Sequence, residues 1–146
     1  MDEIDKKILN LILENSKLSY RKIAKKLGIS VATIMNRVNK LEKNGIVEKY
    51  TTKLNYEKLG YDLNVIIDIR VSKGKLFDVE RKIASHPNVG AVYDITGQFD
   101  VMVIANFKSR KELDRFLKKI QTFDFVERTE TKLILNKVKE EFIKII

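Results

Sequence analysis

The sequence predicts an α+β protein of two parts: an N-terminal helix-turn-helix (winged-helix-like) domain joined to a C-terminal βαββαβ sandwich. Two observations carry this. In the run 20–45, Ile23, Leu27, Ile34, Val38 and Leu41 recur at helical spacing around Ala24, Gly28 and Ser30. Beyond Gly60 the pattern changes, and apolar runs of strand type alternate with amphipathic helical stretches. The 146 residues, 44% of them hydrophobic, suffice for two small cores.

Taken in order, Asp2 is placed to cap a first helix whose Ile4, Ile8, Leu11 and Ile12 form one apolar stripe, ending near Asn15. In the next helix Ala24 is small enough for two helices to cross closely. Gly28 permits the positive φ of a tight turn, and Ser30 can cap the helix that follows. That third helix, 30–44, leaves Thr33, Asn36, Arg37 and Lys40 off its apolar stripe and stops at Asn44 and Gly45. Residues 46–54, rich in β-branched and aromatic side chains, are expected to form a strand or wing, and 55–62 a linker loosest at Gly60.

The remainder reads as strand 63–71, helix 75–85, strands 89–96 and 101–107, helix 109–121 and strand 125–136. Pro87 ends the first of these helices, because the residue before a proline avoids the α region. Gly97 to Asp100 make the hairpin between the central strands. The order β-α-β-β-α-β is that of a ferredoxin-like sandwich, one antiparallel sheet with both helices on a single face. The other face stays open, and a strip carrying Ile66, Val92 or Val103 is too apolar to leave wet, so a homodimer or larger assembly is expected. The domain division is then 1–54, 55–62 and 63–146.

Charge is concentrated. Of the formal net +9, residues 15–53 hold +8, with ten Lys/Arg against Glu42 and Glu48. A basic helix-turn-helix is the electrostatic footprint of a surface that binds nucleic-acid phosphates, since each neutralised phosphate releases condensed counterions. The bland alternative is a solvated lysine-rich face.

Other function classes find no support. There is no cysteine, so thiol redox chemistry and thiolate metal sites are excluded. No apolar run reaches the roughly 18 residues of a membrane span, and the acidic start is unlike a signal peptide, so a cytoplasmic location is expected. The single histidine, His86, precedes Pro87 at a helix end, a capping or exposed place and not that of a catalytic base. Asp94 and Asp100 flank a hairpin without metal-ligand spacing, and the six glycines are dispersed, so no phosphate loop is present. Neither an enzyme nor a cofactor or metal is expected.

Five groups of residues together resemble the leucine-responsive regulator (Lrp/AsnC) family along essentially the whole chain. They are Asp5, Ile8, Leu9 and Leu11; Ala24, Leu27, Gly28, Ile29 and Ser30; Arg37, Val38, Leu41, Gly45, Ile46 and Val47; Thr96, Gly97, Gln98, Phe99 and Asp100; and Val126, Thr129 and Thr131. Each group is weak alone, and their order and spacing are specific. The resemblance implies a transcription regulator whose helix-turn-helix binds double-stranded promoter DNA. Its second domain would dimerise, assemble further, commonly to octamers, and sense a small molecule, usually an amino acid.

By that similarity Ser30 and Thr33 lie near phosphate or base edges, Asn36 and Arg37 read bases, Lys40 meets phosphate, and Tyr20 and Arg21 touch the DNA backbone from the preceding helix. Arg37 has a structural alternative, an ion pair with Glu42 or Asp5 that positions the helix without reading a base. The effector residues carried over are Gly97, Gln98, Phe99, Asp100, Thr129 and Thr131, around a cleft between dimers. A zwitterion's carboxylate suits N–H groups freed by a glycine turn, and its ammonium suits Asp100 or the two hydroxyls. The plainer alternative gives Gly97 and Asp100 to hairpin geometry and the threonines to the strand. A different class, an architectural protein that wraps DNA with little sequence or effector specificity, shares the basic helix-turn-helix. A sensor acting by protein contact is a third.

Overall fold

Asp2 starts the chain's first helix. Its carboxylate accepts the N–H groups of Ile4 and Asp5, and Asp5 accepts the N–H of Asp2, a reciprocal cap that fixes α1 (Glu3–Glu14) at its N-terminus. Ser19 caps α2 (Tyr20–Leu27), and Gly28, with φ of 68°, ends it. Ser30 then caps α3 (Val31–Lys43) through the N–H of Thr33 at 3.1 Å, and Gly45, with φ of 70°, turns the chain out of it. Ile8, Ile34 and Val38 are completely buried where the three helices meet, with Leu9, Ile23, Ala24 and Leu41 beside them. This computed structural model describes residues 1–72 and 74–146.

The chain divides into two units, Met1–Lys53 with Lys139–Ile146, and Leu54–Val138. The last eight residues, which the sequence reading placed at the end of 63–146, thus group with the helices. Asn10 secures them there: its side chain donates to the carbonyl of Ile145 at 2.9 Å and accepts the N–H of the same residue at 2.8 Å.

The second unit begins with a 3-10 turn, Glu57–Leu59, closed by Gly60, and continues as β1 (Leu63–Val71), α4 (Leu76–Ala84), β2 (Val89–Asp94), β3 (Val101–Phe107), α5 (Arg110–Gln121) and β4 (Val126–Leu133). The strands form one antiparallel sheet in the order β2-β3-β1-β4, the split βαβ arrangement expected. Val65, Ile67 and Ile69 of β1 and Val101, Val103 and Ala105 of β3 are fully buried on one face, against Val79 and Ile83 of α4 and Phe116 and Ile120 of α5.

Two expectations are corrected. Residues 46–54 form no strand, because no neighbouring strand among the described residues pairs with them; they run irregularly, Val47 against the helical core and Ile46 and Leu54 half exposed. And Val103, expected on the open face, is fully buried on the helix face. It pairs with Ile67 and Val92, and Val92 also packs against the core. The open face carries Ile66, paired with Ile104, and Met102, paired with Asp68 and Tyr93. A one-residue change of register moves a whole strand's set to the other face, so the error is one of parity.

Candidate nucleic-acid interface

On α3 the buried stripe of Ile34, Val38 and Leu41 turns the rest of the helix to solvent. Thr33, Asn36 and Lys40 are exposed, as is Arg21 on α2. Tyr20 is half-buried, packed against the helical core and lining a hollow of about 400 Å³ with Ile12, Leu18, Ile23 and Tyr50. Ser30 and Thr33 engage each other: beyond the cap, their hydroxyls are 2.8 Å apart.

Arg37 makes an ion pair of the kind the structural alternative describes. Its Nη1 lies 2.8 Å from both Asp2 and Asp5, tying α3 to the capped start of α1. The partners are thus Asp5, one of the two expected, and Asp2, which was not. The effects agree on both sides. The hydrogen bonds it donates to Asp5 and Asp2 push the Arg37 guanidinium above its ordinary value. The N–H of Asp5 and the guanidinium hold Asp2 below the usual carboxylate value. Burial opposes ionisation of Asp5, and the bonds from Arg37 and the Asp2 N–H overcome it, so that this carboxyl too is lowered. Glu42 serves elsewhere, accepting from the Tyr50 hydroxyl at 2.8 Å; burial, then this bond, pushes Tyr50 up to about 12.

Sequence reasoning passed over several exposed residues of α3. Ala32 and Asn39 face solvent, and Met35 is 43% exposed although it is apolar. The available signal was arithmetic: 32, 35, 36 and 39 stand at i, i+3, i+4 and i+7, a contiguous face away from the buried stripe.

The effector candidates fall in two places, the β2–β3 turn and the strand β4. Gly97 has φ of 120° in the β2–β3 turn, where a side chain would strain the backbone. Asp100 is engaged structurally: its N–H donates to Ile69, its carbonyl accepts from Ile95, and its carboxylate accepts the N–H of Val71 at 2.8 Å. Across β1 from it, Thr129 pairs with Ile69 and Thr131 with Ile67. Thr129 also hydrogen-bonds Gln121 at 3.4 Å, and the Phe99 ring lies 5.7 Å from the Arg128 guanidinium. None of the six residues lines the hollow of about 300 Å³ in this unit, which is formed by Ser72, Lys75, Asp124 and Phe125. Among the described residues there is no cluster that could hold a metal ion, and no helix is long and apolar enough to cross a membrane.

Comparison with known proteins decides the family. Residues 64–143 match the Lrp/AsnC ligand binding domain, and residues 1–48 match a winged helix-turn-helix DNA-binding domain. The chain belongs to the Lrp/AsnC family. An uncharacterized HTH-type transcriptional regulator of Pyrococcus furiosus is 50% identical, the match covering 97% of this chain and 96% of that one. The HTH-type transcriptional regulator FL11 of the same organism is 35% identical over 96% of this chain and 93% of its own length. The solved structure of Escherichia coli AsnC superposes with a TM-score of 0.92 at 29% identity, covering 99% of both chains. This Lrp/AsnC chain is accordingly a DNA-binding transcription regulator with the family's ligand-binding domain, and its relatives are regulators and not enzymes.

Proposed function

We propose that this regulator acts in the cytoplasm, reads a specific operator through α3, oligomerises, and responds to an amino acid or a related small effector. The observation that carries the reading is the exposed polar and basic face of α3. Asn36 offers a bidentate edge for adenine, Lys40 meets phosphate, and Ser30, Thr33, Tyr20 and Arg21 flank them for backbone or base-edge contact. Arg37 has the positioning role, because its guanidinium is already bound by two carboxylates.

For assembly, support comes from the open sheet face, where Ile66, Met102 and Ile104 are not fully buried and the buried Oδ1 of Asn64 has no hydrogen-bond partner. For the effector, support comes from the match to the family's ligand-binding domain and from the positive-φ turn at Gly97. Gln98, Phe99, Thr129 and Thr131 are candidates to complete that site, and Asp100 holds the turn for it.

A gel-shift series tests the reading. DNA upstream of the protein's own gene is compared with random duplex of equal length at physiological salt, with and without the twenty amino acids. Selective shifting altered by the pool is the expected result. Equal shifting of both duplexes, untouched by the pool, would establish the architectural alternative instead. The variant Asn36→Ala should lose operator preference and keep bulk DNA affinity; unchanged preference would remove Asn36 as a reader.

A further inference from the structure

We infer that Met35, with Ala32 beside it, reads the C5-methyl group of thymine in the major groove, next to an adenine taken by Asn36. This rests on the operator reading above and adds a specificity determinant to it.

The argument starts from what α3 presents. In its first two turns the solvent-facing side chains are Val31, Ala32, Thr33, Met35 and Asn36, and the apolar ones among them are conspicuous: Val31 is 42% and Met35 43% exposed. They are not spill-over from an unfinished core, because Ile34 and Val38 on the opposite side are completely buried. On a helix otherwise polar and basic, an exposed thioether at i+3 from Ala32 and adjacent to Asn36 makes a small methyl-complementary patch beside an amide.

Base chemistry gives that combination a meaning. The thymine methyl is the one apolar feature of the major groove, and asparagine matches adenine N6 and N7, whereas guanine is best met by a guanidinium. Arg37 supplies the single guanidinium of α3, and Asp2 and Asp5 hold it. Lys40 and Lys43 stand in the helix's second half, the end suited to phosphate. The remaining readout is methyl and adenine, and so selects thymine-adenine steps.

Deoxyuridine isolates the contact, since it lacks only the methyl and keeps every hydrogen-bonding edge. The full chain is used to select duplexes from a randomised pool, and each thymine of the winning sequence is replaced singly by deoxyuridine. Wild type should lose affinity about fourfold at one thymine per half-site, the effect of one buried methyl. Met35→Ala should bind the thymine and uracil duplexes equally, while Met35→Leu keeps the discrimination; salt-dependent binding to random DNA should be unchanged in both. Met35 is exposed, so both variants should melt with wild type. Equal wild-type affinity for all the substituted duplexes, or full discrimination retained by Met35→Ala, overturns the inference and leaves operator reading intact. A pool that yields no preferred sequence overturns operator reading and this inference with it.

Discussion

Arg37 shows how a residue suited to base recognition by type can be committed by its neighbours. Asp2 caps α1 and Asp5 completes the cap, so two carboxylates are fixed at one helix end, and Arg37 completes a three-residue network. Arg37→Gln is therefore expected to lower the melting temperature while leaving base preference unchanged, as read by calorimetry and by the same pool selection. The pH dependence follows from the direction of the shifts. Asp2 and Asp5 are lowered from 3.8, so their contribution is complete above that value and lost as pH falls through the lower native ones. The melting difference between wild type and Arg37→Gln should thus close in strong acid. His86 has the same sense. Burial, then Lys119, lowers it from 6.5, its ring rests 4.6 Å from that of Phe116, and its Nδ1 accepts the N–H of Asn88. Its contribution is present above pH 6.5 and lost as pH falls through the native value. As the only histidine, it gives one NMR titration, expected to have its midpoint below 6.5. A midpoint at or above 6.5 would mean that the ring is not desolvated against Phe116.

At the scale of elements, the turn between α2 and α3 sets the direction of α3, and two residues fix it. Ser30→Ala removes the acceptor for the Thr33 N–H and should cost about 1 kcal/mol by chemical denaturation. Gly28 sits at φ of 68° with open space where a Cβ would go, so Gly28→Ala meets no clash; its penalty is the left-handed backbone, about 1 kcal/mol, and Gly28→Asn should recover part of it. A loss of several kcal/mol in either alanine variant would contradict this local account. These features were legible in the sequence because capping and positive-φ turns are local chemistry, decided within four residues. For the same reason the strands β1 and β3 lie at the expected limits, 63–71 and 101–107. What was not legible depended on distant partners. Residues 46–54 have strand composition and, among the described residues, no strand to pair with. Val103 and Ile104 are equally apolar, and the register with β1 alone decides which meets the helices. Asp2 bonds across 35 positions to Arg37, a distance that no periodicity reports.

For the molecule as a whole, the unresolved quantity in a single chain is apolar surface. Ile66 and Ile104 are register partners on the open sheet face, with the Asp68 carboxylate, 8% exposed, held by Lys132 on the same face. After β4 the chain runs on without helix or strand, and Leu135, Val138, Phe142 and Ile143 are each at least 75% exposed. If the open face is the association surface proposed above, its mixed character would specify pairing: an apolar centre would give affinity, while Asn64, with its unpartnered Oδ1, and the Asp68–Lys132 pair would penalise a slipped partner. Light scattering at micromolar concentration should find a dimer or larger. Ile66→Glu, which puts a charge at the centre of the face and leaves the helix-side core untouched, should shift the protein toward monomer with its helices and sheet intact by circular dichroism. Operator affinity should fall in the same variant, because two half-sites read by one assembly gain from their linkage. Should wild type itself sediment as a monomer at that concentration, the open face would be a solvated surface and linked half-site reading would fall with it.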